Sequence, residues 1–127
     1  MSEDQRTLGK LQVYQKSLGL CRVAWEVYEK FDWHDQKIIG DQFITAVDSV
    51  AANIAEGYGR FHYLDRIKFC YQARGSLLEV QHWVYLLHQR KKITTENFQV
   101  FLKFTQEIHA LLNGYIKSLY ANKKNES

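Results

Sequence analysis

The 127-residue sequence predicts an all-α protein, an antiparallel up-down-up-down four-helix bundle forming one domain over residues 1–127. Three observations predict it. Apolar residues recur at steps of three, four and seven through four separate segments, which lines each set along one face of a helix. No segment alternates apolar and polar residues long enough to compete as a strand. Proline, which interrupts helices and punctuates loops, is absent. Apolar residues make up 46% of the chain and aromatic residues 14%, which supplies a core and rejects disorder for the body of the protein.

The first helix is expected from about Val13 to Phe31, with Val13, Leu20, Ala24, Val27 and Phe31 on its apolar face. Gly19 interrupts it, weakening the helix while giving room for a close neighbour. The polar stretch Asp32 to Lys37 reads as a connection. The second helix runs from about Ile38 to Ala55 on a stripe of Phe43, Ala46, Val47, Val50, Ala51 and Ile54. Small residues crowd its far end, so that end should pack tightly on a neighbour, and Gly57 and Gly59 read as a left-handed helix stop. The third helix is expected from Tyr63 or Leu64 to about Arg90, with Leu64, Ile67, Tyr71, Leu78, Val84, Tyr85 and Leu87 as its main apolar positions. Asp65 suits the positive end of its dipole, and Arg90, Lys91 and Lys92 suit the negative end. Thr94 or Thr95 then caps a fourth helix to about Tyr120, whose stripe of Phe98, Phe101, Leu102, Thr105, Ile108, Leu112, Tyr115, Ile116 and Leu119 lasts six turns. The ends, about 1–10 and 122–127, are expected to fray.

The charge balance excludes little. Seventeen Lys and Arg against fourteen Asp and Glu leave +3, less than a protein that binds nucleic acid by charge alone usually carries. The polar start and the lack of a long apolar run argue against a signal peptide and a membrane span, so a reducing cytoplasm is expected, with Cys21 and Cys70 as free, packed thiols. No nucleophile, paired base or phosphate loop is legible, so no catalytic residue and no cofactor is assigned. Glu79 and His82 form one Glu-x-x-His, where a di-iron bundle needs two such pairs and two further glutamates. The five histidines lack zinc-like spacing, so no metal site is assigned. Asn53, Glu56, Arg74 and Glu79 are expected to form a structural polar network, with Arg74 paired to Glu56 across the second and third helices.

The residues assigned to nucleic-acid binding are cationic. Arg60, Arg66 and Lys68 surround the start of the third helix, with His62 and Tyr63 among them, and Arg90, Lys91 and Lys92 lie at its far end. Cations beside aromatics can grip phosphates and stack on bases. A solvated face with dipole-matched charges is the plainer reading of the same residues. Trp25, Trp33, Tyr28, Phe69, Tyr85 and Tyr58 exceed what one stripe per helix can bury, which points to interfaces.

Three motifs stand in order along the chain: Asn53-Ile54-Ala55-Glu56-Gly57-Tyr58-Gly59-Arg60, Ala73-Arg74-Gly75-Ser76-Leu77-Leu78-Glu79, and Leu112-Asn113-Gly114-Tyr115-Ile116-Lys117-Ser118-Leu119. Together they resemble the bacterial four-helix bundle family encoded in intervening sequences of large-subunit ribosomal RNA genes. The resemblance spans about Val13 to Leu119. It implies a left-handed bundle, a homo-oligomeric ring that is often a pentamer, and kinship with accessory proteins of diversity-generating retroelements, which are thought to bind nucleic acid and a reverse transcriptase. RNA or DNA, and a nucleic-acid enzyme, are therefore the partners it implies. One departure stands out: Gln42 to Ser49 contains no lysine or arginine where relatives often carry basic residues. The function expected is a non-enzymatic oligomeric bundle acting as a nucleic-acid-binding accessory. The alternative is a protein-interaction scaffold.

Overall fold

The computed structural model describes residues 7–123. Four long helices follow one another: α1 (Gln12–Glu29), α2 (Asp41–Tyr58), α3 (Tyr63–Gln89) and α4 (Thr95–Lys123). Residues 1–6 and 124–127, where part of the expected fraying falls, lie outside the described residues. Within them, Lys10 N–H donates to Thr7 O at 3.1 Å, and α4 stays helical through Lys123.

Side-chain pairs fix the antiparallel register. Between α1 and α2, Cys21 lies against Val47 and Tyr28 against Asp41, so one chain ascends as the other descends. Between α3 and α4 the order is Tyr71 with Tyr120, Arg74 with Asn113, Gln81 with Thr105, and Tyr85 with Phe98. Lys16–Glu107 and Gly19–Phe104 join α1 to α4. Each helix thus has two neighbours, and the ring closes without a sheet among the described residues.

The core is the set of apolar stripes meeting at the centre. Leu20, Phe43, Val47, Ile54, Leu77, Val84, Phe101, Ile108 and Leu112 are all essentially inaccessible to solvent. Phe43 and Phe101 meet edge to face, with centroids 5.4 Å apart, a favoured arrangement of ring quadrupoles. The predicted stripe of α2 is buried in full, and that of α4 is buried except for the half-buried Leu102 and Tyr115. Both cysteines are free, Cys70 buried and Cys21 half-buried against the core, and burial pushes both thiols up to about 11. No helix among the described residues is long and apolar enough to cross a membrane.

Three expectations are corrected. The stretch expected to be a connection is helical, because Asp32 accepts the Asp35 N–H at 2.8 Å and starts a turn, Trp33–Asp35. A π-turn, Gln36–Gly40, then leads without a break into α2. Gly57 does not stop its helix. It lies inside α2, buried, where an added Cβ would sit 2.8 Å from Phe69 Cβ and 3.1 Å from the Arg66 carbonyl oxygen. Its role is close approach of α2 to α3, and Gly59 ends the helix with a right-handed φ of −78°. The left-handed stop belongs to Lys91, at φ 60°, whose neighbour Lys92 donates its N–H to Leu87 O at 2.8 Å.

The third correction concerns the buried face of α3. The core takes Ile67, Cys70, Ala73, Leu77, Val80, Val84 and Leu87. The bulkier Leu64, Tyr71, Leu78 and Tyr85 point outward. The buried face mixes the small Cys70 and Ala73 with the large Ile67, Leu77 and Leu87, so bulk alone does not mark it. Thr94 is the cap of α4, accepting the Asn97 N–H at 3.0 Å.

Candidate nucleic-acid interface

The short link from α2 to α3 gathers the first group of cations. Arg60, one residue past the Gly59 cap, reaches back to Glu56 with Nη2 2.6 Å from Oε1. That pair is one helical turn apart, so it forms without any reach across the bundle. The same guanidinium lies 4.9 Å from the Phe69 ring centroid. Arg66 donates Nε–H to the Arg60 carbonyl at 2.7 Å, and its guanidinium sits 5.3 Å from the Tyr63 centroid and 5.7 Å from that of Tyr58. Aromatic faces attract guanidinium groups through the ring quadrupole, so the rings help hold both arginines in place; Glu56 offsets part of the Arg60 charge, while Arg66 is held by rings and a neutral carbonyl. Lys68 is exposed on the same part of α3.

Phe61 completes this corner. It lies in the link itself, with 84% of its surface open to water and its ring edge to face with His62. Sequence reasoning passed over it because it belongs to no helical stripe. Its signal was its place, one apolar ring between Arg60 and His62 in a turn. Beneath the corner, Tyr115 has a buried hydroxyl without a hydrogen-bond partner among the described residues. Burial pushes that phenol up to about 12, with the nearby Arg66 charge acting in the opposite direction.

The second group lies elsewhere. Arg90, Lys91 and Lys92 close the other end of α3, about 35 Å away along the helix at 1.5 Å per residue. Lys92 Nζ is 3.0 Å from Asp35 Oδ2, so part of this charge is neutralised within the bundle. The six assigned cations therefore form two separate patches.

The expected polar network does not exist as one unit. Arg74 does not pair with Glu56, which Arg60 already holds. Arg74 faces α4, donating from Nη1 to Asn113 Oδ1 at 2.9 Å and lying 4.7 Å from the Tyr71 centroid. Asn53 donates to the Ser49 carbonyl at 2.8 Å within its own helix. Glu79 accepts from Trp83 Nε1 at 3.0 Å. What the contacts do connect is the second sequence motif to the third, through Arg74 and Asn113.

The outward residues of α3 fall at seven-residue intervals: Leu64, Tyr71, Leu78 and Tyr85. Such a repeat keeps a seam on one side of a helix and suits a supercoiled partner helix. Leu78, at the middle of this row, is 68% exposed. Arg74, Gln81, Gln106 and His109 flank it in the groove between α3 and α4. One group of potential metal ligands occurs among the described residues, Asp32, His34 and Asp35, with ligand atoms within 4.8 Å of one another. Its carboxylates already cap a helix and hold Lys92.

The profile of the 23S rRNA-intervening sequence proteins matches residues 9–114, which takes in the first two motifs, the start of the third and the Phe61 corner. The chain belongs to that family. Among solved structures, this intervening-sequence protein is similar to a protein of unknown function from the S23 ribosomal protein family of Bacteroides thetaiotaomicron. The two are 29% identical, with a TM-score of 0.75, covering 83% of this chain and 95% of the other. No curated protein matches. The family name records a gene location and assigns no reaction.

Proposed function

We propose that this intervening-sequence protein is a non-enzymatic, self-associating helical bundle that binds RNA or DNA as an accessory to a nucleic-acid enzyme. The observation that carries the reading is the corner of Arg60, Arg66 and Lys68. Two guanidinium groups there are held against Phe69, Tyr58 and Tyr63 beside an open Phe61. Ordering these cations in advance lowers the entropic cost of gripping a phosphate backbone. The modest net charge is then no obstacle, because self-association repeats the corner on every subunit and multiplies weak contacts.

Binding of labelled RNA and DNA, followed across a salt series, tests the reading. Affinity should fall steeply with salt, and Arg66→Ala should lower the log–log slope by about one. No detectable binding at low salt would end the nucleic-acid reading.

The row Leu64, Tyr71, Leu78 and Tyr85 favours a second reading, a scaffold for protein partners, and supports self-association in either case. Sedimentation equilibrium of the wild type and of Leu78→Asp measures this. The wild type should be an assembly and the variant should dissociate without unfolding, since Leu78 adds nothing to the core. A monomeric wild type would remove the multivalency argument and the self-association with it.

A further inference from the structure

We propose that the corner between α2 and α3 selects unpaired nucleotides, with Phe61 as the platform on which one base stacks. This rests on the nucleic-acid reading above and adds the class of ligand. A single exposed apolar side chain is ordinary on a protein surface. Phe61 differs in its surroundings. It sits in the turn immediately after Arg60, which is tied to Glu56 and Phe69, and Arg66 folds back to bond the Arg60 carbonyl. Arg60 is thereby held through its side chain and its carbonyl, and on the other side of the ring the His62 carbonyl accepts the Arg66 N–H at 3.2 Å. A π-face open to water thus stands next to guanidinium groups already ordered for phosphate contact.

Duplexes offer little to such a ring, because their bases are stacked on one another and their edges lie in grooves. Single strands expose base faces, and each base stacked on an aromatic ring adds affinity that salt does not screen. The two components therefore separate experimentally. Guanidinium and ammonium groups set the salt slope for any strand, and Phe61 sets the preference for an unpaired one.

The experiment uses the full chain, a short unstructured RNA or DNA strand of mixed sequence, and the same strand annealed to its complement. Anisotropy titrations at several salt concentrations compare the wild type with Phe61→Ala, Phe61→Tyr and Arg66→Ala. Phe61→Ala should weaken single-strand binding roughly 5- to 150-fold with an unchanged salt slope and leave duplex binding as it was. Phe61→Tyr should retain the preference, and Arg66→Ala should weaken both ligands. Helix content by circular dichroism should match the wild type in both Phe61 variants, since Phe61 lies outside the helices and the core. Equal loss on both ligands, or no loss on either, would overturn the role of Phe61 while leaving salt-dependent binding intact. Absence of wild-type binding to either ligand would remove the nucleic-acid reading and this inference with it.

Discussion

The two ends of α3 each carry three of the assigned cations, yet they are chemically unlike. At its start, Arg60 and Arg66 lie against rings, and the corner around them is knitted by a backbone acceptor and a carboxylate. At its finish, Arg90, Lys91 and Lys92 terminate a helix, where positive charge complements the dipole and Lys92 is held by Asp35. The first arrangement presents ordered cations outward, and the second uses cations to close a helix. Counting charges along the sequence cannot tell these apart, because the difference lies in what each side chain leans on.

The largest expected effect breaks the first end. Gly57→Val places side-chain atoms where the Cβ alone meets Phe69 Cβ at 2.8 Å and the Arg66 carbonyl oxygen at 3.1 Å, atoms that cannot swing aside as a side-chain tip can. A loss of about 3 kcal/mol is expected in urea unfolding, together with weaker nucleic-acid binding, because Phe69 and Arg66 move with the helix. The other end should respond oppositely. Lys91→Gly relieves a left-handed backbone and should raise stability by about 1 kcal/mol, with little change in binding. Binding that falls as far with Lys91→Gly as with Arg66→Ala would abolish the distinction drawn between the ends.

A smaller effect sharpens the comparison beneath the first end. Tyr115→Phe removes a buried hydroxyl that has no partner, so stability should stay level or rise by up to about 1 kcal/mol. A clear loss in thermal unfolding would mean that the hydroxyl is satisfied by water. The smallest effect belongs to the far end and depends on pH. Tyr28 donates a hydrogen bond of 2.6 Å to Asp41, which holds that carboxyl below its usual range. The folded value lies below the unfolded one, so this contribution is complete above about pH 4 and disappears as pH falls through the lower folded value. Asp41→Asn should lower the neutral plateau of Tm slightly and leave the acid end unchanged, which flattens the acid limb.

Much of the fold was legible because α1, α2 and α4 each carry a single apolar stripe. Helix α3 carries two, and the size of the side chains misleads. Leu64, Tyr71, Leu78 and Tyr85 look like core by bulk, whereas the stripe of Ile67, Cys70, Ala73, Leu77, Val80, Val84 and Leu87 occupies it. The candidate site was legible in part. Arg60, Arg66 and Lys68 follow from composition and position. The Arg74–Glu56 pair was misread because a partner one turn away, Arg60, was overlooked in favour of a distant one. Phe61 was invisible to periodicity because it sits where periodicity stops.

The π-turn at Gln36–Gly40 has a consequence for how the protein can be watched. A π-turn holds one residue more than an α-turn, which offsets the segment before it by about 100° around the axis. Trp33 stands in that offset turn and projects into solvent, 72% exposed, on the opposite tip of the molecule from Phe61. With Trp25 and Trp83 replaced by Phe, its indole emission becomes an optical reporter for whatever settles on that tip. Deleting one residue of the turn should swing it round and shift its spectrum, while the four-helix packing below stays in register.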